Sequence, residues 1–232
     1  MKALVTGAAG GIGAATADAF ESAGHSVLRH DVRQADRIDM VGDLRDAATL
    51  GRIADLAKRT GVDTVIAGHG IPGPGSLTAV DSASLDRVIA INTASVIALF
   101  EALETTLDAR GGVFIPISSQ AGLRGEAHNS IYAASKFALI GWARAQAQRP
   151  SGTRFRVVCP GLTETPLLID ALHGMARGEG MSYEDHLRQR LLAVPLGRLG
   201  RTSEIGRSVL WLAELQTRAC VVAPVTGGTV FN

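Results

Sequence analysis

The sequence predicts an α/β protein built on one doubly wound parallel sheet. Three observations carry this. Short apolar runs alternate with helix-periodic segments along all 232 residues. Most of those runs are continuously apolar, as strands covered on both faces are. The first run is followed at once by a glycine-rich turn and a helix. In chain order, Lys2-Ala3-Leu4-Val5-Thr6 is the first strand, and residues 12–23 form a helix closed by Gly24. Strand 26–30 follows, then a helix over 47–58 capped by Asp46. Further strands are expected at 64–67, 113–117, 156–159 and 220–223, the last running into a tail that ends at 232. Long helical periodicity covers 84–107 and 132–148, and shorter helices cover 183–192 and 203–215, the latter with Ser203 as N-cap. No repeat, low-complexity run or Pro-rich linker divides residues 1–232, which read as one domain. Segment 163–195 is helical in pattern but interrupted by Gly174, Gly178 and Gly180, and reads as a substrate lid.

Composition excludes several function classes. Lys plus Arg is 23 and Asp plus Glu is 22, a net charge of +1, which gives no electrostatic footprint for nucleic acid or an anionic membrane surface. Cys159 and Cys220 cannot make a disulfide framework and read as thiols of a reducing compartment. No apolar stretch is expected to reach the roughly 18 residues of a membrane span. The start faintly resembles a signal peptide but breaks at Thr6-Gly7. The expectation is a soluble cytoplasmic protein without a metal site.

The turn Thr6-Gly7-Ala8-Ala9-Gly10-Gly11-Ile12-Gly13 has what a nucleotide pyrophosphate requires: free backbone N–H groups at a helix N-terminus and no side chains barring close approach. The second strand ends in Asp31, 18 residues beyond Gly13. A carboxylate there accepts both ribose hydroxyls of the adenosine and repels a 2′-phosphate, which favours NAD over NADP. Arg29 and Arg33 flank it and offer the opposite reading, a 2′-phosphate clamp. Asp43-Leu44 is a candidate for the adenine edge.

Tyr132 and Lys136 lie four apart on a predicted helix and project from one face. A phenol, with an ordinary pKa of about 10, is a poor base at neutral pH, and an ammonium beside it favours the phenolate. Thr6-Gly7-x-x-x-Gly11-Ile12-Gly13 together with Tyr132-Ala133-Ala134-Ser135-Lys136 resembles the short-chain dehydrogenase/reductase family, whose fold is of the Rossmann type. Further matches follow in order: Ile91-Asn92-Thr93, Ile117-Ser118-Ser119, Cys159-Pro160-Gly161 with Thr165, Gly200 to Ile205, and Gly227-Gly228. The resemblance covers essentially the whole chain. It implies that Ser119 polarises the substrate oxygen, Tyr132 is the general acid/base, Lys136 holds the nicotinamide ribose and Asn92 places a water that relays protons. It further implies cofactor contacts at Gly7, Gly11, Ile12, Gly13, Asp31, Asp43, Leu44, Ala67, Gly68, Pro160, Gly161, Thr163 and Thr165, and association as a homotetramer or homodimer through helices 84–107 and 132–148.

Three departures stand out. Where the family carries Asn-Asn-Ala-Gly, this chain has Ala67-Gly68-His69-Gly70, and His69 reads as a loop side chain near the cofactor. Pro116 stands inside an expected strand, so a bulge or an early end is expected there. The link from Asp31 to Asp43 is too short for a helix; with Pro160–Leu168 it resembles the bacterial 3α-hydroxysteroid dehydrogenase/carbonyl reductase branch. The leading expectation is an NAD(H)-dependent enzyme interconverting a secondary alcohol and a ketone. The apolar side chains of Leu162, Leu167, Leu168, Leu172, Met175 and Met181 suggest an apolar or alicyclic substrate. A 3-oxoacyl carrier-protein reductase using NADPH, kept open by Arg124, Arg198 and Arg201, and a non-catalytic dinucleotide sensor are the alternatives.

Overall fold

Seven parallel strands form one sheet in the order β3-β2-β1-β4-β5-β6-β7 in the computed structural model, which describes residues 1–73, 81–126 and 129–230. The strands are β1 (Lys2–Thr6), β2 (Ser26–Asp31), β3 (Met40–Val41), β4 (Thr64–Ala67), β5 (Val113–Pro116), β6 (Arg154–Pro160) and β7 (Val221–Val225). Strand residues alternate between two cores. Leu4, Val65, Phe114 and Phe155 point to one face, under α2 (Ala47–Thr60), α4 (Ser95–Asp108) and α5 (Ser130–Gln146). Ala3, Val5, Ile66 and Ile115 point to the other, under α1 (Gly11–Ser22) and α8 (Thr202–Glu214). Burial on both faces is why these strands read as unbroken apolar runs. At the centre of the first core, Phe100 meets the rings of Phe114, Trp142 and Phe155 edge-on at 5.0–5.5 Å.

Most expected elements are present, with instructive differences. Asp46 caps α2 by accepting from the Ala48 and Thr49 amides, and Gly24 takes a positive φ after α1. Ser203 is not the cap of α8: that helix begins at Thr202, directly after its cap Arg201, whose amide donates to the N3 residue Glu204 at 2.7 Å. Strand β3 escapes a reading by pattern because it is two residues long. The link before it contains no helix, as expected, and the fold turns back on hydrogen bonds from Asp39 and Gly42 to β2.

Pro116 ends β5 without a bulge. β5 pairs with β6 through Val113 and Phe114, loses the ladder at the proline, and Ile117 resumes it on Val158 in the same register. The expected helix over 84–107 is divided into α3 (Ser82–Ile89), a π turn (Ala90–Ala94) and α4. This continuous stretch, Ser82–Asp108, is long and apolar enough to span a membrane by composition, which corrects the expectation that no such stretch exists. Its inward residues Leu99, Phe100, Leu103 and Leu107 are at most 1% exposed beneath the sheet, where it serves as a core helix. Segment 163–195 folds into α6 (Pro166–Gly178) and α7 (Tyr183–Leu191). Gly174 lies inside α6; the break comes after Gly178, with Gly180 at positive φ. The rings of His173 and Tyr183 stack at 4.2 Å, and His186 pairs with Glu179 at 2.9 Å, joining the two helices. Residues 231 and 232 of the expected tail lie outside the described residues.

Candidate active site

The carboxyl ends of β1, β4, β5 and β6 converge on one edge of the sheet, where loops of a doubly wound fold build binding sites. β1 ends at Thr6 and the chain turns through Gly7, at φ +70°, where a Cβ would sit 2.9 Å from the Gly68 carbonyl. A Cβ at Gly13 would overlap the Gly7 carbonyl oxygen. Only glycine permits this packing of loop against helix. The N-cap of α1 is Gly10, which offers no side-chain acceptor, so the first N–H groups of α1 face outward as an anion cradle. Ile12 stands in the first turn, and Gly11 faces the Thr165 methyl, bringing the loop after β6 against the cradle.

Asp31 closes β2 with its carboxylate 5% exposed, accepting from the Ala9 and Arg33 amides at 3.0 Å each. This bond ties the end of β2 to the glycine turn. Of the two arginines considered for a 2′-phosphate, Arg29 is excluded: it is buried and held by Asp18 and Glu21 on α1 at 2.6 and 3.0 Å. Arg33 is 71% exposed, with one guanidinium nitrogen reaching over Gly10 and its Nε 3.5 Å from Asp31. The Asp43 carboxylate is held by Arg45, which lowers its pKa, and Leu44 is buried beside it. Ala67 ends β4, and the Gly68 amide donates to Thr6 Oγ1 at 3.2 Å.

Tyr132, Lys136 and Ser119 come together. Ser119 opens the short 3₁₀ turn Gln120–Gly122, its hydroxyl accepting from the Ala121 amide at 3.1 Å and lying near enough to Tyr132 to lower its pKa. Tyr132 and Lys136 share a face of α5, with the Lys136 ammonium 5.6 Å from the centre of the Tyr132 ring. Burial pushes Tyr132 up to about 12, aided by the charge of Glu126 and opposed by Ser119. Burial also pulls Lys136 down to about 8. The expected lowering of Tyr132 by Lys136 is therefore reversed here: Nζ donates to the Ile117 carbonyl at 2.9 Å, and desolvation dominates both groups.

Asn92 lies in the π turn, fully buried. Its Oδ1 accepts from the Ile71 amide at 2.8 Å, while Nδ2 donates to the Ile71 carbonyl at 2.9 Å and to Ser135 Oγ at 3.2 Å. Pro160 ends β6, and Gly161 passes too close to the Thr226 backbone to carry a Cβ. Thr163 donates to the Gly161 carbonyl at 3.0 Å, and Thr165 caps α6 through the Leu168 amide.

Several residues brace this site without having been assigned a role from the sequence. Ser118 donates to the Lys136 carbonyl at 2.9 Å, and Gln120 is pinned between Glu126 and Thr229. Cys159 lies buried near Ser118, Ser119 and Lys136, with burial raising its thiol to about 11. His69 lies in the loop after β4, as expected, and its ring bridges Thr6 and Ser95 at 2.7 and 2.9 Å. Among the described residues no group of His, Cys, Asp and Glu has the arrangement of a metal site.

Comparison with known proteins matches residues 1–175 to the short chain dehydrogenase family model. A putative ketoacyl reductase of the monensin polyketide synthase from Streptomyces virginiae is 31% identical, over 91% of this chain and 89% of the relative. The 2,3-dihydro-2,3-dihydroxybenzoate dehydrogenase of Escherichia coli is 31% identical over 90% and 88%. A crystal structure of an actinorhodin polyketide ketoreductase with NADPH superposes with a TM-score of 0.88 at 25% identity, covering 98% of this chain and 96% of that one. A match over three quarters of the sequence, on a fold that carries the glycine turn and the Ser119–Tyr132–Lys136 cluster on one edge, makes the chain a member of the short-chain dehydrogenase/reductase family of oxidoreductases.

Proposed function

We propose that the protein interconverts a secondary alcohol and a ketone with NAD(H), in a single domain over which α6 and α7 form the substrate lid. The observation that carries this reading is the meeting of Tyr132, Ser119 and Lys136 beside a cradle that only glycine allows. The cradle fits a dinucleotide. Gly7, Gly11, Ile12 and Gly13 with the α1 N-terminus would hold the pyrophosphate and Asp31 the adenosine ribose. Asp43, Leu44, Ala67 and Gly68 would border the adenine, and Pro160, Gly161, Thr163, Thr165 and Lys136 the nicotinamide half. When bound, the nicotinamide supplies or accepts the hydride.

The chain's own residues handle the oxygen and its proton. The hydroxyls of Ser119 and Tyr132, near enough for one to lower the pKa of the other, mark the place of the substrate oxygen. With its pKa near 12, Tyr132 stays protonated at neutral pH and serves as the acid that delivers a proton to a carbonyl oxygen being reduced. Oxidation requires Tyr132 first to release its own proton to solvent; the phenolate then takes the alcohol proton, and the Lys136 ammonium, 5.6 Å from the ring centre, favours that charge. Asn92 positions the relay by pinning Ile71 and Ser135. The apolar side chains of Leu162, Leu167, Leu168, Leu172, Met175 and Met181 in and beside the lid suit an apolar or alicyclic substrate. The working form is proposed as a cytoplasmic homotetramer or homodimer.

The test is dinucleotide-linked turnover on a panel of secondary alcohols and ketones with NAD(H) and NADP(H) in parallel. Turnover on that panel supports the reading; NADH binding without any turnover converts it to a dinucleotide sensor. The second reading, an NADPH-dependent 3-oxoacyl carrier-protein reductase, is favoured by Arg33 standing exposed over Gly10. Asp31→Ser separates the two. The kcat/KM ratio of NADH to NADPH is expected to fall by about 10²-fold, the worth of a hydrogen bond to a charged group together with relief of repulsion. An unchanged ratio removes the argument for NAD.

A further inference from the structure

His69 replaces a small residue of the family's turn and takes no part in the proposed chemistry, yet its hydrogen bonds run in one direction. Ser95 Oγ donates to the Ile91 carbonyl at 2.7 Å, so it meets His69 Nε2, at 2.9 Å, as an acceptor, and the ring donates there. Nδ1 of a neutral ring must then accept, and the Thr6 hydroxyl supplies the proton at 2.7 Å. Thr6 Oγ1 in turn accepts from the Gly68 amide at 3.2 Å. The result is an unbroken chain of bonds from Gly68, at the end of β4, to Ile91, inside the π turn. An imidazolium would need a second acceptor, forcing the Thr6 proton onto the Ile66 carbonyl at 3.5 Å. The groups facing the ring are Lys136 on α5, His30 and Asp31 on β2, and Asp43 before α2. Burial, with the Lys136 charge next, holds His69 near 3, well below the ordinary imidazole value.

The same short strap is held at its other end. Asn92 grips both backbone groups of Ile71, and between the two anchors Gly70 passes so near Lys136 that a Cβ there would lie 3.4 Å from Nζ and 3.2 Å from Asn92 Oδ1. We propose that His69 is a positioning residue: bonded between Thr6 at the start of the glycine turn and Ser95 at the start of α4, it fixes the Gly68–Ile71 strap and so couples the nucleotide-phosphate loop to Lys136. This rests on the reading of Lys136 and Tyr132 as the reacting pair.

Nitrogen-15 imidazole NMR of the unmodified protein tests the bonding. The Nε2–H tautomer is expected, with shifts constant from about pH 5 to pH 9. An Nδ1–H tautomer, or titration in that window, overturns the assignment. His69→Gln and His69→Leu test the coupling, since a carboxamide keeps one acceptor and one donor and leucine keeps neither. His69→Leu is expected to weaken NADH binding, read by fluorescence, by about tenfold or more and to lower kcat by a similar factor, while His69→Gln stays within about threefold on both. The alkaline limb of the kcat–pH profile is expected to move up in the leucine variant alone, because a freed Lys136 regains water. Equal loss in both variants, or none in either, overturns the proposal. If His69→Leu does not fold, Ser95→Ala takes its place, with loss of NADH affinity expected and unchanged affinity decisive against the coupling. Absence of NADH binding by the unmodified protein would instead sink the proposed function, leaving the NMR result to judge the bonding.

Discussion

Tyr132→Phe is expected to lower kcat by about 10³-fold or more, in either direction, while NADH affinity changes by less than about twofold. The substitution removes a single oxygen. That oxygen belongs to the hydroxyl that Ser119 influences, and burial keeps it protonated across the neutral range. The ring remains, with its place on α5 and its contact to Lys136, so the fold and the dinucleotide cradle lose at most the worth of one hydrogen bond, about 1 kcal/mol. Steady-state dinucleotide absorbance with the best substrate of the panel gives the first number and NADH fluorescence the second. Ser119→Ala is expected to cost less, about 10²-fold, because it polarises the substrate oxygen without exchanging the proton. A Tyr132→Phe enzyme retaining a tenth of its turnover would move the acid elsewhere, with Glu126 the charged side chain already felt at Tyr132.

The contrast between what could and could not be read from the chain follows the range of the forces involved. The glycine turn was legible because its requirement is local: a positive φ at Gly7 and a helix start at Gly11 belong to consecutive residues. The shared face of Tyr132 and Lys136 was legible for the same reason, four residues being one turn of helix. Their protonation was not, because the carbonyl that takes the Lys136 proton belongs to Ile117, 19 residues away, and burial is decided by the whole fold. The π turn at Asn92 depends on Ile71, and the place of His69 on Thr6 and Ser95, none of them a sequence neighbour. The cap of α8 is a different case. Glu204 at the third helical position was a local signal for Arg201 as the cap, and the serine beside it was the more familiar but weaker clue. The incompatibility of Pro116 with a ladder bond is local and legible, but its consequence, a gap toward β6 alone, depends on which strands flank β5.

Lys136→Met is expected to abolish turnover to a similar degree and yet to leave the protein at least as stable at pH 7. Lys136 is 5% exposed, and its pKa falls from 10.5 to about 8 because the interior disfavours the ammonium. The sign follows from proton counting. Between about pH 8 and 10.5 the unfolded chain binds more protons than the folded one, so stability rises with pH across that window. Below it the folded protein carries the full desolvation cost, about 3 kcal/mol by linkage. Methionine removes that cost at similar volume. Against this stands the Ile117 carbonyl, which loses its donor, a penalty of about 1–3 kcal/mol. The net at pH 7 is therefore between zero and a gain of about 2 kcal/mol, far from the loss that deleting a well-bonded buried lysine would ordinarily bring. Urea unfolding at pH 7, 9 and 10.5 checks it: the advantage of Lys136→Met should shrink with each step as the unmodified protein sheds the proton. A variant destabilised equally at all three values would mean that the ammonium is well solvated by its partners, and that burial does not set its charge.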